Sequence, residues 1–256
     1  RRGVQFQSWH PKGPQTLIVS PPLRLATTAM GTRFELVLQG EEPEHLRAAG
    51  EAALEEIDSC HRRFTRFEAG GLLAHLRRNP TGVQLDPSTW ALFEGSLLVW
   101  RDSGGAFDLT LPARRMDAIT LDPECRTVRL EMPGLPLDFG AIAKGHALDL
   151  AAGVLREAGV TSAFLHGGTS SAIGLGTPPE EAGWMVALGS WPGAPTVVLQ
   201  DTALSVSAAW AGNPHPTTDP RTGIPIPVPR RVAVTGPSAR LADAWSTALL
   251  VLGRRP

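Results

Sequence analysis

At 256 residues the chain is long enough to bury a sizeable core, as one large domain or as two closely packed halves. A formal net charge of -1 without any long basic run argues against a general nucleic-acid surface, and no apolar run approaches the roughly 20 residues that cross a bilayer. Cys60 and Cys125 stand far apart, with no neighbouring Cys or His at zinc-ligand spacing, which argues against a structural zinc site.

Residues 1–22 are rich in Pro, Gly and Gln and read as an extended arm. Residues 25–40 read as a first strand or hairpin arm, with Phe34, Leu36 and Leu38 alternating against Arg33, Glu35 and Val37. Residues 43–63 predict a long helix, Pro43 in its first turn and Leu46, Ala49, Ala53, Ile57 and Cys60 at helical steps. His45 and His61 fall on its polar side. Asp86-Pro87-Ser88 is a helix start, followed by a stripe of Trp90, Phe93, Leu97 and Trp100 and a stop at Gly104-Gly105. Residues 121–137 predict a hairpin-like pair of short strands, Cys125 in the turn.

The stretch from 135 to 176 organises the rest. A short apolar run, 135–139, ends beside a carboxylate and turns at Gly140 into a helix with Ala147, Leu148, Ala151, Leu155 and Ala158 on one face. Gly159 stops it. Residues 161–165 read as a buried strand, and Gly167-Gly168 opens a second turn, giving a strand, helix, strand unit with glycine at both mouths. Such a mouth suits anions, because helix amides point outward and the dipole places about half a positive charge there. Lys144 adds a full charge, and of 24 basic residues only Lys12 and Lys144 are lysines. Gly140 to Gly145 fits G-x-x-x-x-G, but His146-Ala147 follows where a phosphate-binding P-loop needs Lys and Ser or Thr.

Residues 184–188 and 195–199 read as strands around a Trp-Pro-Gly loop, 201–210 as another, and 232–235 as a last buried strand. The final helix starts near Ser238, with Leu241, Ala244, Ala248 and Val251 on its apolar side. Asp243 and Thr247, four apart, share one face and offer two oxygen ligands to a hard cation.

Leu137-Asp138-Phe139-Gly140-Ala141-Ile142-Ala143-Lys144-Gly145, with Asp149 in the helix and Gly167-Gly168 after the next strand, resembles the central pattern of the flavin transferase family named ApbE. Met30-Gly31-Thr32, Ala106-Phe107-Asp108-Leu109-Thr110, Asp219-Pro220-Arg221-Thr222-Gly223 and Ala242-Asp243-Ala244-Trp245-Ser246-Thr247 match further family segments in order. The resemblance implies an α/β (α+β) fold: one large domain over 23–256, built from two similar β-α-β halves with the flavin site between them. It also implies an activity, the magnesium-dependent movement of FMN from FAD onto a Thr or Ser hydroxyl of a target flavoprotein, releasing AMP. In that reading Met30, Phe67, Ala106, Phe107, Asp108, Asp138, Lys144, Gly167 and Gly168 bind FAD. The Ala141 carbonyl, Asp243 and Thr247 hold Mg2+, with Asp243 an exposed carboxylate at the site mouth. His215 is the base, backed by His146 or His166, and Asp219 orients the loop or the base. Family members further imply a bacterial envelope or periplasmic location.

The chain departs from the pattern in one place. Val206-Ser207-Ala208-Ala209-Trp210 replaces a Thr-Ser-Gly-aromatic run, and the histidine sits at 215, with Pro216 three residues before Asp219 where the family places it. Two alternatives therefore stay open, an FAD-binding homologue without transfer and a magnesium-dependent FAD pyrophosphatase.

Overall fold

A computed structural model describes residues 21–65, 71–79, 81–213 and 216–253. The chain opens with β1 (Leu23–Ala29) and β2 (Thr32–Gln39), a hairpin whose two-residue turn holds Met30 at φ 51° and Gly31 at φ 71°. Left-handed geometry at both positions matches the right-handed twist of the strands. Helix α1 (Pro43–Phe64) follows, then α2 (Leu72–Arg78), the short β3 (Val83–Gln84) and α3 (Pro87–Asp102). Asp86 caps α3 by accepting hydrogen bonds from the amides of Ser88 and Thr89. Next come β4 (Ile119–Asp122), β5 (Thr127–Leu130) and α4 (Ala143–Glu157). The second half holds β6 (Ser162–Gly167), β7 (Ser171–Leu175), β8 (Trp184–Ala187), β9 (Thr196–Leu199), β10 (Thr202–Ala209), β11 (Arg230–Gly236) and α5 (Ala239–Leu252).

Six strands form one sheet in the order β1-β2-β6-β7-β10-β11, every neighbour antiparallel. The α+β class is as expected. Because no pair is parallel, each half is a hairpin followed by a helix, β1-β2-α1 at one edge and β10-β11-α5 at the other. Strand alternation divides the sheet into two faces. One row, Leu36, Leu165, Ile173 and Ala203, joins α1, α4 and α5 in the main core. The opposite face puts Val37, Phe164, Leu204 and Val206 under the β8–β9 hairpin, against Trp184 and Leu199. Val37, expected among the outward residues, is buried by this second layer.

Two expectations fail here. Residues 135–139 form no strand; the Asp138 amide ties this irregular stretch to a distant segment, donating to the Leu109 carbonyl at 2.8 Å. Strand β11 is an edge, half-exposed along its length rather than buried, because among the described residues it pairs with β10 on one side alone. Cys60 is buried and Cys125 exposed in the β4–β5 turn, both as free thiols. Among the described residues no helix is long and apolar enough to cross a membrane.

Candidate active site

Between the β1–β2 turn, the end of α1 and the start of α4 lies a pocket of about 300 Å3. Met30, His61, Phe64, Asp138, Gly140 and Lys144 are among its lining residues. Local folding explains how the 138–140 turn faces it. Phe139 is driven into the core, 5.3 Å from the Phe64 ring and 5.4 Å from Phe93, which leaves Asp138 and Gly140 outward. The Asp138 carboxylate then accepts the Gly140 amide at 2.8 Å and fixes the turn. Met30 occupies a backbone region that β-carbon sterics disfavour, and its amide donates to His61 Nδ1 at 3.3 Å.

Behind the pocket, α4 and α5 cross with their N-terminal turns in contact. A β-carbon at Gly145 would stand 2.1 Å from the Ala239 carbonyl oxygen, so only glycine permits the approach. Each helix lends a carboxylate to the other's first turn. Asp149 of α4 accepts from the amides of Ala239 at 2.7 Å and Arg240 at 3.0 Å and from the Ser238 hydroxyl at 2.7 Å. Asp243 of α5 accepts from the Gly145 amide at 3.1 Å. Carboxylates at both positive helix ends are electrostatically favoured.

Asp243 was expected to be exposed, yet it is buried, and the reason is a cluster of hydroxyls. Ser171 and Ser205, neighbours across β7 and β10, donate to Asp243 Oδ1 at 3.3 and 2.9 Å. Ser246 and Thr247 donate to the Asp243 carbonyl at 2.9 and 3.3 Å, while Ser207 lies 2.8 Å from the Ser246 hydroxyl. Facing this carboxylate from the pocket side, the Lys144 ammonium is 3.7 Å from Asp243 Oδ2 and donates to the Gly140 carbonyl at 3.2 Å.

The expected residues distribute unevenly around this centre. Met30, Asp138 and Lys144 line the pocket; Asp243 and Thr247 lie on α5 behind it, and Ala141 is half-buried in the turn leading to α4. Gly167 sits on β6 against the Phe34 ring, where a β-carbon would clash at 2.6 Å. Gly168, at φ 62°, begins the β6–β7 turn and donates its amide to the Arg33 carbonyl. Ala106 and Phe107 are buried, and Asp108 Oδ1 accepts both the amide and the hydroxyl of Thr110 at 2.6 Å, so it shapes its own loop. The Asp219 carboxylate receives a two-point grip from Arg221, at 2.9 and 2.7 Å, which holds it below the ordinary carboxylate range. A β-carbon on Gly223 would meet Arg114, so this loop rests on the segment after residue 104. Phe67 and His215 lie outside the described residues.

Neither alternative histidine lines the pocket. Burial holds His166 below its usual range, against the opposing pull of the Gly168 carbonyl and Glu35. His146 is fully buried, edge-on to Phe64, both ring nitrogens without a hydrogen-bond partner among the described residues, and burial pushes it down to about 3. Sequence reasoning missed His61, Phe64 and the serines around Asp243. The serines left a readable trace, since Ser205 and Ser207 alternate on one strand face and Ser246 and Thr247 follow Asp243 by three and four.

Comparison with known proteins places this geometry. The model described as the ApbE family matches residues 30–115 and 111–256. The FAD:protein FMN transferase of Klebsiella pneumoniae (strain 342) is 30% identical over 149 residues, 56% of this chain and 47% of that protein. That of Treponema pallidum (strain Nichols) is 28% identical over 223 residues, 67% of this chain and 61% of that protein. The matched chain thus spans less than two thirds of either relative. A variant of the flavin transferase ApbE from Vibrio cholerae shares the fold, with a TM-score of 0.79 at 18% identity over 91% of this chain and 88% of that one. With the family pattern matched from Met30 to the C-terminus on this fold, the chain belongs to the ApbE family.

Proposed function

We propose that the protein is an FAD:protein FMN transferase, moving FMN from FAD to a Thr or Ser hydroxyl of a target flavoprotein with release of AMP. The observation that carries this reading is the convergence at one pocket of Met30, Asp138 and Lys144 with the start of α4, backed by a buried carboxylate 3.7 Å from the lysine. An outward helix start and an ammonium suit a diphosphate, and the apolar walls supplied by Met30 and Phe64 suit a flat ring.

Among the described residues no group of three or more His, Cys, Asp or Glu could hold a metal by itself. Asp243, Thr247 and the Ala141 carbonyl nevertheless fit magnesium in kind, as hard oxygens, and fall short of six in number, which suits an ion completed by substrate phosphates and water. When bound, magnesium supplies positive charge against the phosphate under attack. The chain's own residues do the rest. Ser171, Ser205 and the Gly145 amide fix the Asp243 carboxylate in one orientation. Arg221 braces Asp219, four residues after His215 in the chain. The acceptor hydroxyl passes its proton to His215 as its oxygen bonds to the FMN phosphorus, and the bond to the AMP oxygen breaks.

Incubating the pure protein with FAD, magnesium and a Thr-bearing acceptor domain tests this. The expected result is acceptor mass increased by FMN with equal AMP, and a hundredfold to ten-thousandfold loss of both in His215→Ala at unchanged FAD affinity, roughly the range for a lost base. AMP without acceptor labelling points to hydrolysis. FAD binding without AMP points to a homologue that no longer transfers, the reading that the displaced histidine favours.

A further inference from the structure

The centre behind the pocket already contains a cation. Lys144 Nζ lies between the Gly140 carbonyl and Asp243 Oδ2, touching one from α4's own approach and facing the other from α5. A carbonyl from the 139–142 turn and the α5 carboxylate are the same two kinds of oxygen that the reading above assigns to magnesium. The two partners are not equally held. Asp243 is 5% exposed and tied by three hydrogen bonds from neutral donors, whereas the Lys144 side chain is 23% exposed and ends on one bond to a carbonyl and an ion pair too long for a hydrogen bond. A buried carboxylate with only neutral donors is costly, so an ammonium nearby stabilises the centre. Lysine suits such a post better than arginine, since a compact point charge on a flexible stem leaves easily and a planar fork does not.

We propose that Lys144 is the resident cation of the Asp243 centre and that a divalent ion displaces it, swinging the ammonium into the pocket toward the nucleotide phosphates. Metal and nucleotide binding are thereby coupled through one side chain: the ion takes over Asp243, and the released charge serves the diphosphate. The exchange rests on the transferase reading only in placing magnesium at Asp243.

Its test needs neither FAD nor acceptor. The chain has just two lysines, so amine acetylation resolved by peptide mass reads Lys144 directly, with Lys12 as internal reference. Magnesium alone should raise the acetylation rate of Lys144 several-fold and leave Lys12 unchanged, and Asp243→Asn should raise it without metal. Lys144→Met, which keeps the stem and removes the charge, should tighten manganese or magnesium binding by at least about tenfold, a modest part of what a unit charge at this separation exerts. Lys144→Gln serves if the Met variant folds poorly, with circular dichroism as control. An unchanged Lys144 rate on metal addition, unchanged metal affinity in both variants, or no metal binding in any form overturns the exchange. A wild-type protein that passes these tests yet labels no acceptor overturns the activity alone.

Discussion

The starts of α4 and α5 meet at Gly145, and they are finished differently. Helix α5 begins with its own cap, Ser238, whose hydroxyl accepts the Leu241 amide, and Asp149 adds three more bonds from neutral donors. Helix α4 begins at Ile142 with no side-chain cap of its own, and its borrowed carboxylate, Asp243, also faces a lysine that lines the pocket. The same device, a carboxylate lent across a helix crossing, serves closure at one end and chemistry at the other. What separates them is whether the carboxylate is held by neutral donors alone, or also faces a charged group able to move.

Asp243→Ala attacks the chemical end. It should lower AMP release by about a thousandfold per folded molecule, the upper range for losing one preorganised electrostatic contact. It should also lower the urea midpoint, because Ser171, Ser205 and the Gly145 amide lose their acceptor and Lys144 loses its ion-pair partner. Full activity in this variant would erase the distinction between the two helix starts.

Asp149→Ala attacks the closing end and should cost about 3 kcal/mol in urea unfolding, since the Ser238 hydroxyl and the amides of Ala239 and Arg240 all lose their acceptor. Activity per folded molecule should change by less than a few-fold. A large loss of catalysis with little loss of stability would reverse the roles assigned to the two carboxylates.

His146 sharpens the comparison through pH. It stays neutral in the fold, held down to about 3, and takes a proton near 6.5 when unfolded. The unfolded state therefore binds more protons below 6.5, and stability falls as the pH drops from 6.5 toward 3, by about 2 kcal/mol at pH 5 from this residue. Above 6.5 the group contributes no pH dependence. His146→Leu should flatten that acid limb in a series of denaturation midpoints between pH 7.5 and 5; an unchanged slope would assign the limb to other groups.

Ser205→Ala is the mildest of the four. Removing one of three donors to Asp243 should cost about 1 kcal/mol of stability, and calorimetric metal affinity should drop while Ser205→Thr retains it. If alanine and threonine behave alike, the hydroxyl does not position the carboxylate.

The face of α1, the Asp86 cap of α3 and the spans of α4 and α5 were legible because each rests on local spacing or cap chemistry, whereas 25–40 read only as a strand or hairpin arm, without the turn at Met30-Gly31. Residues 135–139 misled because an apolar run has the same composition whether it pairs with a strand or lies across a core. Val37 and β11 could not be placed without knowing that β8–β9 covers one face and that β11 ends the sheet. The site was half legible. The motif pointed to Asp243 and Lys144, but the burial of Asp243 depends on β7 and β10 being neighbours, which sets Ser171 beside Ser205 although 34 residues separate them (205 minus 171). Asp149 was noticed as part of a pattern; its work, capping a helix about ninety residues on, shows only in three dimensions.

The glycine at 145 has a further consequence, which is one of thickness. A single methyl group there would act as a wedge against the Ala239 carbonyl, and separating the two helices even slightly would pull Asp149 from Ser238 and Asp243 from the Gly145 amide at once. Sequence drift can change the serines one at a time and retune the centre in small steps. At position 145 the smallest available change undoes both fastenings together, so the spacing between these two helices is inherited whole or lost.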